Sequence, residues 1–265
     1  MLKGIVRKDG TLQPSHDALQ EAAIFGNIDG IPLAVLAQML DTREGNPSAS
    51  TLASTTLRRV VLERLVDYYA PADNLLAMTR GSLIHRGLEG VPFPEGTRVM
   101  REVRLKMQLE KYKEVSLSGQ IDAYYPEYRR LEDYKTAMRI PELLRYDHLV
   151  QLAVYYWLLK RNNYEVESVA INYIAWMEMA QVTLTEMLDG VIVPAILHPL
   201  FQDMEVFEDL IYERWVILKN GFDNNVVPPR IQCVSAYCRY CPLKWACDLI
   251  DAEGEVICPE DFEQL

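Results

Sequence analysis

The chain has 265 residues, 49% of them hydrophobic and 25% charged, with a formal net charge of −11 at neutral pH. That balance excludes a disordered or fibrous chain and allows one sizeable core with a smaller appendage. No apolar run is long enough to span a bilayer and the N-terminus has no apolar signal core, so a cytoplasmic protein without membrane attachment is expected. The acidic total argues against a uniformly basic nucleic-acid surface. Arginines nevertheless cluster in LRRVVLERL, TRGSLIHRG and YRRLEDYKTAMRIPELLR, which fits a local basic groove and solvated helix faces equally well.

Residues 1–47 mix a turn-like KDGTLQPS with the short apolar GIPLAVLAQML and form an N-terminal segment without an assignable role. Residues 46–69 read as a hydroxyl-capped amphipathic helix. A second helix is predicted over 78–90, ended by Gly90. Residues 97–110 and 113–126 alternate apolar and polar around KYK, which predicts two antiparallel strands. A third strand follows over 128–137, then a strongly periodic helix over 141–163, a strand over 166–179 and helical pattern from 185 to 220. This order describes an α/β domain on a central mixed β-sheet.

The chemistry concentrates in SGQIDAYYPEYRRLEDYKTA. Asp122 ends one predicted strand, and Asp133, Tyr134 and Lys135 end the next as Asp-x-Lys. Strand side chains alternate, so Asp133 and Lys135 share a side, and pairing through PEYRR brings Asp122 beside them. Two adjacent carboxylates repel unless a cation separates them, and Mg²⁺ or Mn²⁺ is the natural tenant. Lys135 is suited to orient an attacking water and to neutralise charge on a phosphate. An ordinary hairpin with surface charges yields the same tripeptide, so other residues decide. His85 and Glu89 lie one helical turn apart, able to offer an imidazole to the same ion. Gln151 and Tyr155 repeat that spacing, with His148 one turn earlier, and Arg139 and Arg145 follow the lysine.

Taken in order, Gly81-x-x-x-His85-x-x-x-Glu89, Gly119-x-x-Asp122, Asp133-Tyr134-Lys135-Thr136 and Gln151-x-x-x-Tyr155 resemble the motifs of RecB-type nucleases of the PD-(D/E)XK superfamily. The resemblance covers residues 48–180 and implies a restriction-endonuclease-like fold, its sheet flanked by helices, in a nuclease domain over 48–225. It implies that His85, Asp122 and Asp133 bind the metal, with the Tyr134 carbonyl a further ligand. Lys135 would be the catalytic lysine, Gln151 and Tyr155 would steady the lysine and the DNA strand, and Glu89 would orient an arginine or His85. The implied activity is a Mg²⁺- or Mn²⁺-dependent deoxyribonuclease, an exonuclease on single strands or DNA ends in recombination, repair or CRISPR adaptation. Protein partners from such assemblies, and self-association, accompany that reading. A DNA-binding or assembly subunit with little cleavage is the alternative.

Residues 226–265 form a cysteine-rich segment with an acidic tail. Cys233, Cys238, Cys241 and Cys247 give C-x4-C-x2-C-x5-C, in a setting where clustered thiols are metal ligands more often than disulfides. The last three resemble the trio that, in AddB-type and CRISPR-associated exonucleases, joins an upstream cysteine around a 4Fe–4S cluster. Here the upstream stretch is ASTTLRR, with Thr55 and Thr56 and no cysteine, so the fourth ligand falls to Cys233, to Cys258 or to another group. Cys233 makes the compact site. Structural Zn²⁺ suits four thiolates almost as well. A two-iron electron carrier shares the first spacing but places its fourth cysteine much farther downstream.

Overall fold

The computed structural model describes residues 1–40, 48–137, 139–141, 145–175, 179–183, 185–188, 191–194, 198–230 and 241–253. Its first forty residues form β1 (Leu2–Val6), β2 (Leu12–Pro14), α1 (Ser15–Phe25), β3 (Asn27–Ile28), β4 (Ile31–Pro32) and α2 (Leu33–Met39). Gly26, at φ 81°, ends α1 in the left-handed conformation that glycine adopts without strain. Ile5, Ala18, Ala22, Ile28 and Leu36 are buried together between these elements.

The helix predicted over 46–69 is instead α3 (Ala49–Ala53), α4 (Leu57–Leu65) and β5 (Tyr68–Pro71). Ser48 caps α3 by accepting the Thr51 amide at 3.3 Å. The break follows at Ser54, extended at φ −54° and ψ 130°. Ser54, Thr55 and Thr56 stand in a row, and hydroxyl side chains compete with helical backbone bonds. Tyr68 and Tyr69 then favour a strand, which pairs parallel with β1. The predicted second helix lies within α5 (Ala72–Glu89).

The strands predicted next are present as β6 (Met100–Gln108), β7 (Ser116–Tyr125) and β8 (Arg130–Thr136), followed by α6 (Tyr146–Arg161) and β9 (Ser168–Ile174). A further strand beyond those predicted, β10 (Met179–Thr183), comes after. Their sheet runs β10-β9-β8-β7-β6. Only β8 and β9 pair in parallel, and α6 is the crossover that a parallel pair requires. The expected mixed sheet with flanking helices is therefore observed.

The helical pattern expected from 185 holds only from Pro199 onward. Before it, β11 (Thr185–Leu188) and β12 (Val191–Pro194) pair antiparallel, Leu188 opposite Val191. The intervening Asp189-Gly190 is a hairpin signal, and the β-branched Val191, Ile192 and Val193 favour strand. Then come α7 (Pro199–Gln202), α8 (Met204–Asn224) and α9 (Lys244–Glu253). Cys233, Cys238 and Cys258 lie outside the described residues. No helix among the described residues is long and apolar enough to cross a membrane.

The chain divides into two compact units, one drawn from Met1–Gly45, Thr55–Ser82 and Val216–Leu265, the other from Asn46–Ser54 and Leu83–Trp215. In the second unit, α6 buries Leu149, Val150, Leu152, Ala153, Val154, Leu158 and Leu159. That is more than one face, because α3 and α7 pack on α6 as well as the sheet. Each of these valines and leucines contributes about 1.5–3 kcal/mol relative to exposure.

The β6–β7 turn has its own fastening. Glu208 of α8, 1% exposed, accepts the Glu110 and Lys111 amides at 2.7 Å each. Glu208→Ala is expected to destabilise by about 2 kcal/mol, since two part-buried amides lose a charged acceptor. A urea titration checks this, and an unchanged midpoint would mean the turn is held by other contacts.

Candidate active site

β7 and β8 form rungs only from Ala123↔Glu132 to Tyr125↔Arg130, although β7 begins at Ser116 and β8 runs on to Thr136. Past the last rung a side chain replaces the ladder: Asp122 Oδ2 accepts the Tyr134 amide at 2.8 Å. Asp122 Oδ1 faces His85 Nδ1, on α5, at 3.4 Å. His85 Nδ1 also lies 3.8 Å from Glu102 Oε1. Ligand atoms of His85, Glu102 and Asp122 all lie within 4.8 Å of one another, close enough for one cation to span.

Asp133 and Lys135 share a face of β8, as alternation predicts. The Lys135 ammonium is 2.8 Å from Asp133 Oδ1 and 2.7 Å from Oδ2, but Oδ2 lies off the hydrogen-bond direction and is left without a directed partner. Burial pushes the Asp133 carboxyl up to about 7, against the pull of Lys135 and with the repulsion of Asp122. Glu102 is raised by burial and then by the Asp122 charge. His85 is raised by its hydrogen bond to Asp122. These directions follow from carboxylates crowded in a space of low dielectric, which a bound cation relieves. An imidazole nitrogen and the carboxylate oxygens of Glu102 and Asp122 form a donor set that suits a hard divalent ion, with Asp133 held on Lys135 beside it.

Glu102 escaped the motif reading. The rungs Arg101↔Ala123 and Val103↔Ile121 put it opposite Asp122, so aligning MREVRL against SGQIDA in register would have found it. Its φ of 51° is unusual for a side-chain-bearing residue and holds it out of regular strand geometry. Gln120 donates to its other oxygen at 2.6 Å.

The remaining motif residues fall around this centre. Gln151 Nε2 donates to the Tyr155 hydroxyl at 2.7 Å. Burial, then the charges of Asp133 and Asp122, push the Tyr155 hydroxyl well up. A Cβ on Gly119 would stand 2.8 Å from both Tyr155 and Leu158 side chains, so the glycine of Gly-x-x-Asp is there to admit α6. Tyr134 meets Asp122 through its amide. Glu89 and Tyr134 line one small cavity with His85, Glu102 and Asp122. Arg145 holds Asp147 by two bonds at 3.0 and 2.5 Å, and Arg139 is exposed.

In the other unit, Cys241 and Cys247 are half-buried free thiols against a cluster that includes Leu62, Val66 and Leu243. Arg58, buried on α4, places Nε 3.2 Å from Cys247 Sγ and donates Nη1 to the Pro228 carbonyl at 2.7 Å.

A model of the PD-(D/E)XK nuclease superfamily matches residues 16–248. The chain belongs to the PD-(D/E)XK nuclease superfamily. Nucleases of the PD-(D/E)XK superfamily use divalent metals, in keeping with the donor set above. The crystal structure of the protein SSO0001 shares the fold: 17% identity, 80% of this chain and 93% of the other covered, TM-score 0.50. A candidate exonuclease from Eubacterium rectale is 14% identical over 75% of this chain and 76% of its own, at a TM-score of 0.36, too loose a likeness to bear on function. No curated protein matches the chain.

Beside this PD-(D/E)XK centre, His148 Nδ1 meets the Tyr173 hydroxyl at 2.7 Å, and Tyr173 is the register partner of Lys135. Burial lowers His148 to about 4, with Asp147 opposing and Lys135 and Arg145 assisting. The fold thus holds a neutral imidazole. Its contribution to stability is complete above the ordinary value of about 6.5 and is lost as pH falls through about 4. His148→Gln, which can keep the Tyr173 bond, should flatten the decline in urea midpoint between about pH 6.5 and pH 4.5. Equal declines in both proteins would remove His148 from the acid response.

Proposed function

We propose that the protein is a divalent-metal-dependent deoxyribonuclease, an exonuclease that hydrolyses phosphodiester bonds of single strands or DNA ends. One observation carries the reading: His85, Glu102 and Asp122 converge within 4.8 Å while Lys135 is held on Asp133 of the adjoining strand. His85, Asp122 and Asp133, with Glu102 added, would hold Mg²⁺ or Mn²⁺. When bound, the ion supplies Lewis acidity toward the phosphodiester.

The side chains do the remaining work. Lys135 keeps a positive charge beside the scissile phosphate, where it orients the attacking water and offsets charge that builds on the phosphoryl oxygens. Asp133 fixes the ammonium from a buried position, so little reorganisation accompanies the reaction. As phosphorus gains the water oxygen, its bond to the leaving sugar oxygen breaks, and that oxygen takes up a proton. Gln151 and Tyr155, bonded to each other, steady the lysine side of the site and the strand being cut. Work on DNA ends suits recombination, repair or CRISPR adaptation.

Asp122→Ala and Asp133→Ala are each expected to lower cleavage of labelled DNA by about 10³-fold or more with Mn²⁺ present. Folded variants that cut as fast as the wild type would end the proposal. Tight DNA binding without cutting in any divalent metal would favour the assembly-subunit alternative.

The second part of the proposal concerns Cys233, Cys238, Cys241 and Cys247, read as ligands of a 4Fe–4S cluster that braces the fold. Support comes from Cys241 and Cys247 packing on one apolar cluster. Burial raises the Cys241 thiol, a cost that metal ligation removes by taking the proton's place. Arg58, beside Cys247, offsets thiolate charge. Anaerobically purified protein should be brown and contain iron and acid-labile sulfide. A colourless protein with stoichiometric zinc would replace the cluster with structural Zn²⁺ and leave the nuclease reading intact.

A further inference from the structure

The end of α5 has no fully buried side chain to hold it. From Leu83 to Glu89 no side chain is buried, and Leu83 is 49% exposed. Yet this stretch carries His85, kept 3.4 Å from Asp122. Half-buried Ile84 and Leu88 give the helix end only partial apolar anchoring, so polar contacts add to its hold.

Arg101 of β6 provides them. Its Nη1 donates to the Leu88 carbonyl at 3.1 Å and to the Val91 carbonyl at 2.5 Å. The Leu88 carbonyl also accepts the Val91 amide at 3.2 Å, and both acceptors lie at the carbonyl end of the helix, where a cation is favoured by the helix dipole. The guanidinium lies over the Phe93 ring, 4.8 Å from its centroid. Phe93 in turn sets its ring at 77° to Tyr125, centroids 6.2 Å apart, and Tyr125 is buried at the end of β7. The plane of the arginine is thus fixed from below while its nitrogen grips the helix end. The next residue along β6 is Glu102, which faces His85. A single residue therefore ties the end of α5 to the strand that carries Glu102.

We propose that Arg101 is a positioning residue, a latch that holds the carbonyl end of α5 on β6 and so sets His85 against Glu102 and Asp122. The consequence for metal binding rests on the site reading above, whereas the latch does not. Lysine cannot replace it fully, because an ammonium has no plane to lie on Phe93.

The test combines hydrogen exchange at the amides of residues 86–91 with Mn²⁺ binding followed by electron paramagnetic resonance. In Arg101→Gln, exchange at these amides should speed by about tenfold or more while the global unfolding midpoint holds. The Mn²⁺ dissociation constant should rise by about tenfold, with Arg101→Lys intermediate. Phe93→Leu, which leaves both hydrogen bonds in place, should speed the same amides to a smaller extent. In the His85→Ala background Arg101→Gln should weaken Mn²⁺ little further, because the latch acts through the imidazole. Exchange as slow in Arg101→Gln as in the wild type would overturn the latch, and so would additive losses of Mn²⁺ affinity. If His85→Ala alone leaves Mn²⁺ binding unchanged, the metal-site reading fails, and the exchange rates still decide the latch.

Discussion

Two strands that stop pairing make everything else in the catalytic unit usable. β7 and β8 are bonded over three rungs and then part, and Asp122 fills the vacated ladder position by accepting the Tyr134 amide. That bond spends one carboxylate oxygen on the frame and leaves the other facing His85. Had the ladder continued, the Tyr134 amide would be satisfied by backbone and Asp122 would have no fixed orientation. The opening also lets Asp133 and Lys135 meet below the surface instead of at a solvated hairpin edge.

The electrostatic consequence is an acidic centre inside an acidic protein. Asp122, Asp133 and Glu102 crowd one region with Lys135 the near cation, and the raised carboxyls of Asp133 and Glu102 register the strain. The tension is local, as carboxylates crowded in a space of low dielectric require. The overall charge of −11 is no guide to it. What matters is the few ångströms over which these groups face one another.

Alternation was enough to foresee that Asp133 and Lys135 share a face, because it is a local rule, whereas the approach of His85 to Asp122 depends on how α5 meets the sheet. Glu102 lay beyond such rules: its partner is Asp122 across a strand pair, and its left-handed backbone leaves no trace in the local pattern. The hairpin of β11 and β12 was misread because a helical pattern was extended through Asp189-Gly190, a turn signal. The opening segment went unread because β3 and β4 have two residues each, too few for any period to emerge. The missing upstream cysteine was visible in the sequence. That Arg58, three residues beyond Thr55, reaches Cys247 instead was not; it depends on a pairing 189 residues apart along the chain.

The division of the chain has a consequence during synthesis. The unit with the carboxylates is complete once Trp215 has emerged, because its two stretches, Asn46–Ser54 and Leu83–Trp215, both precede that point. The other unit draws on residues from Val216 onward and cannot close until they appear. Domains fold as units during synthesis, so the unit with the carboxylates can close while the other holds only its early cluster, from Ile5 to Leu75. For that interval, the unit that begins the polypeptide is the one still unfinished.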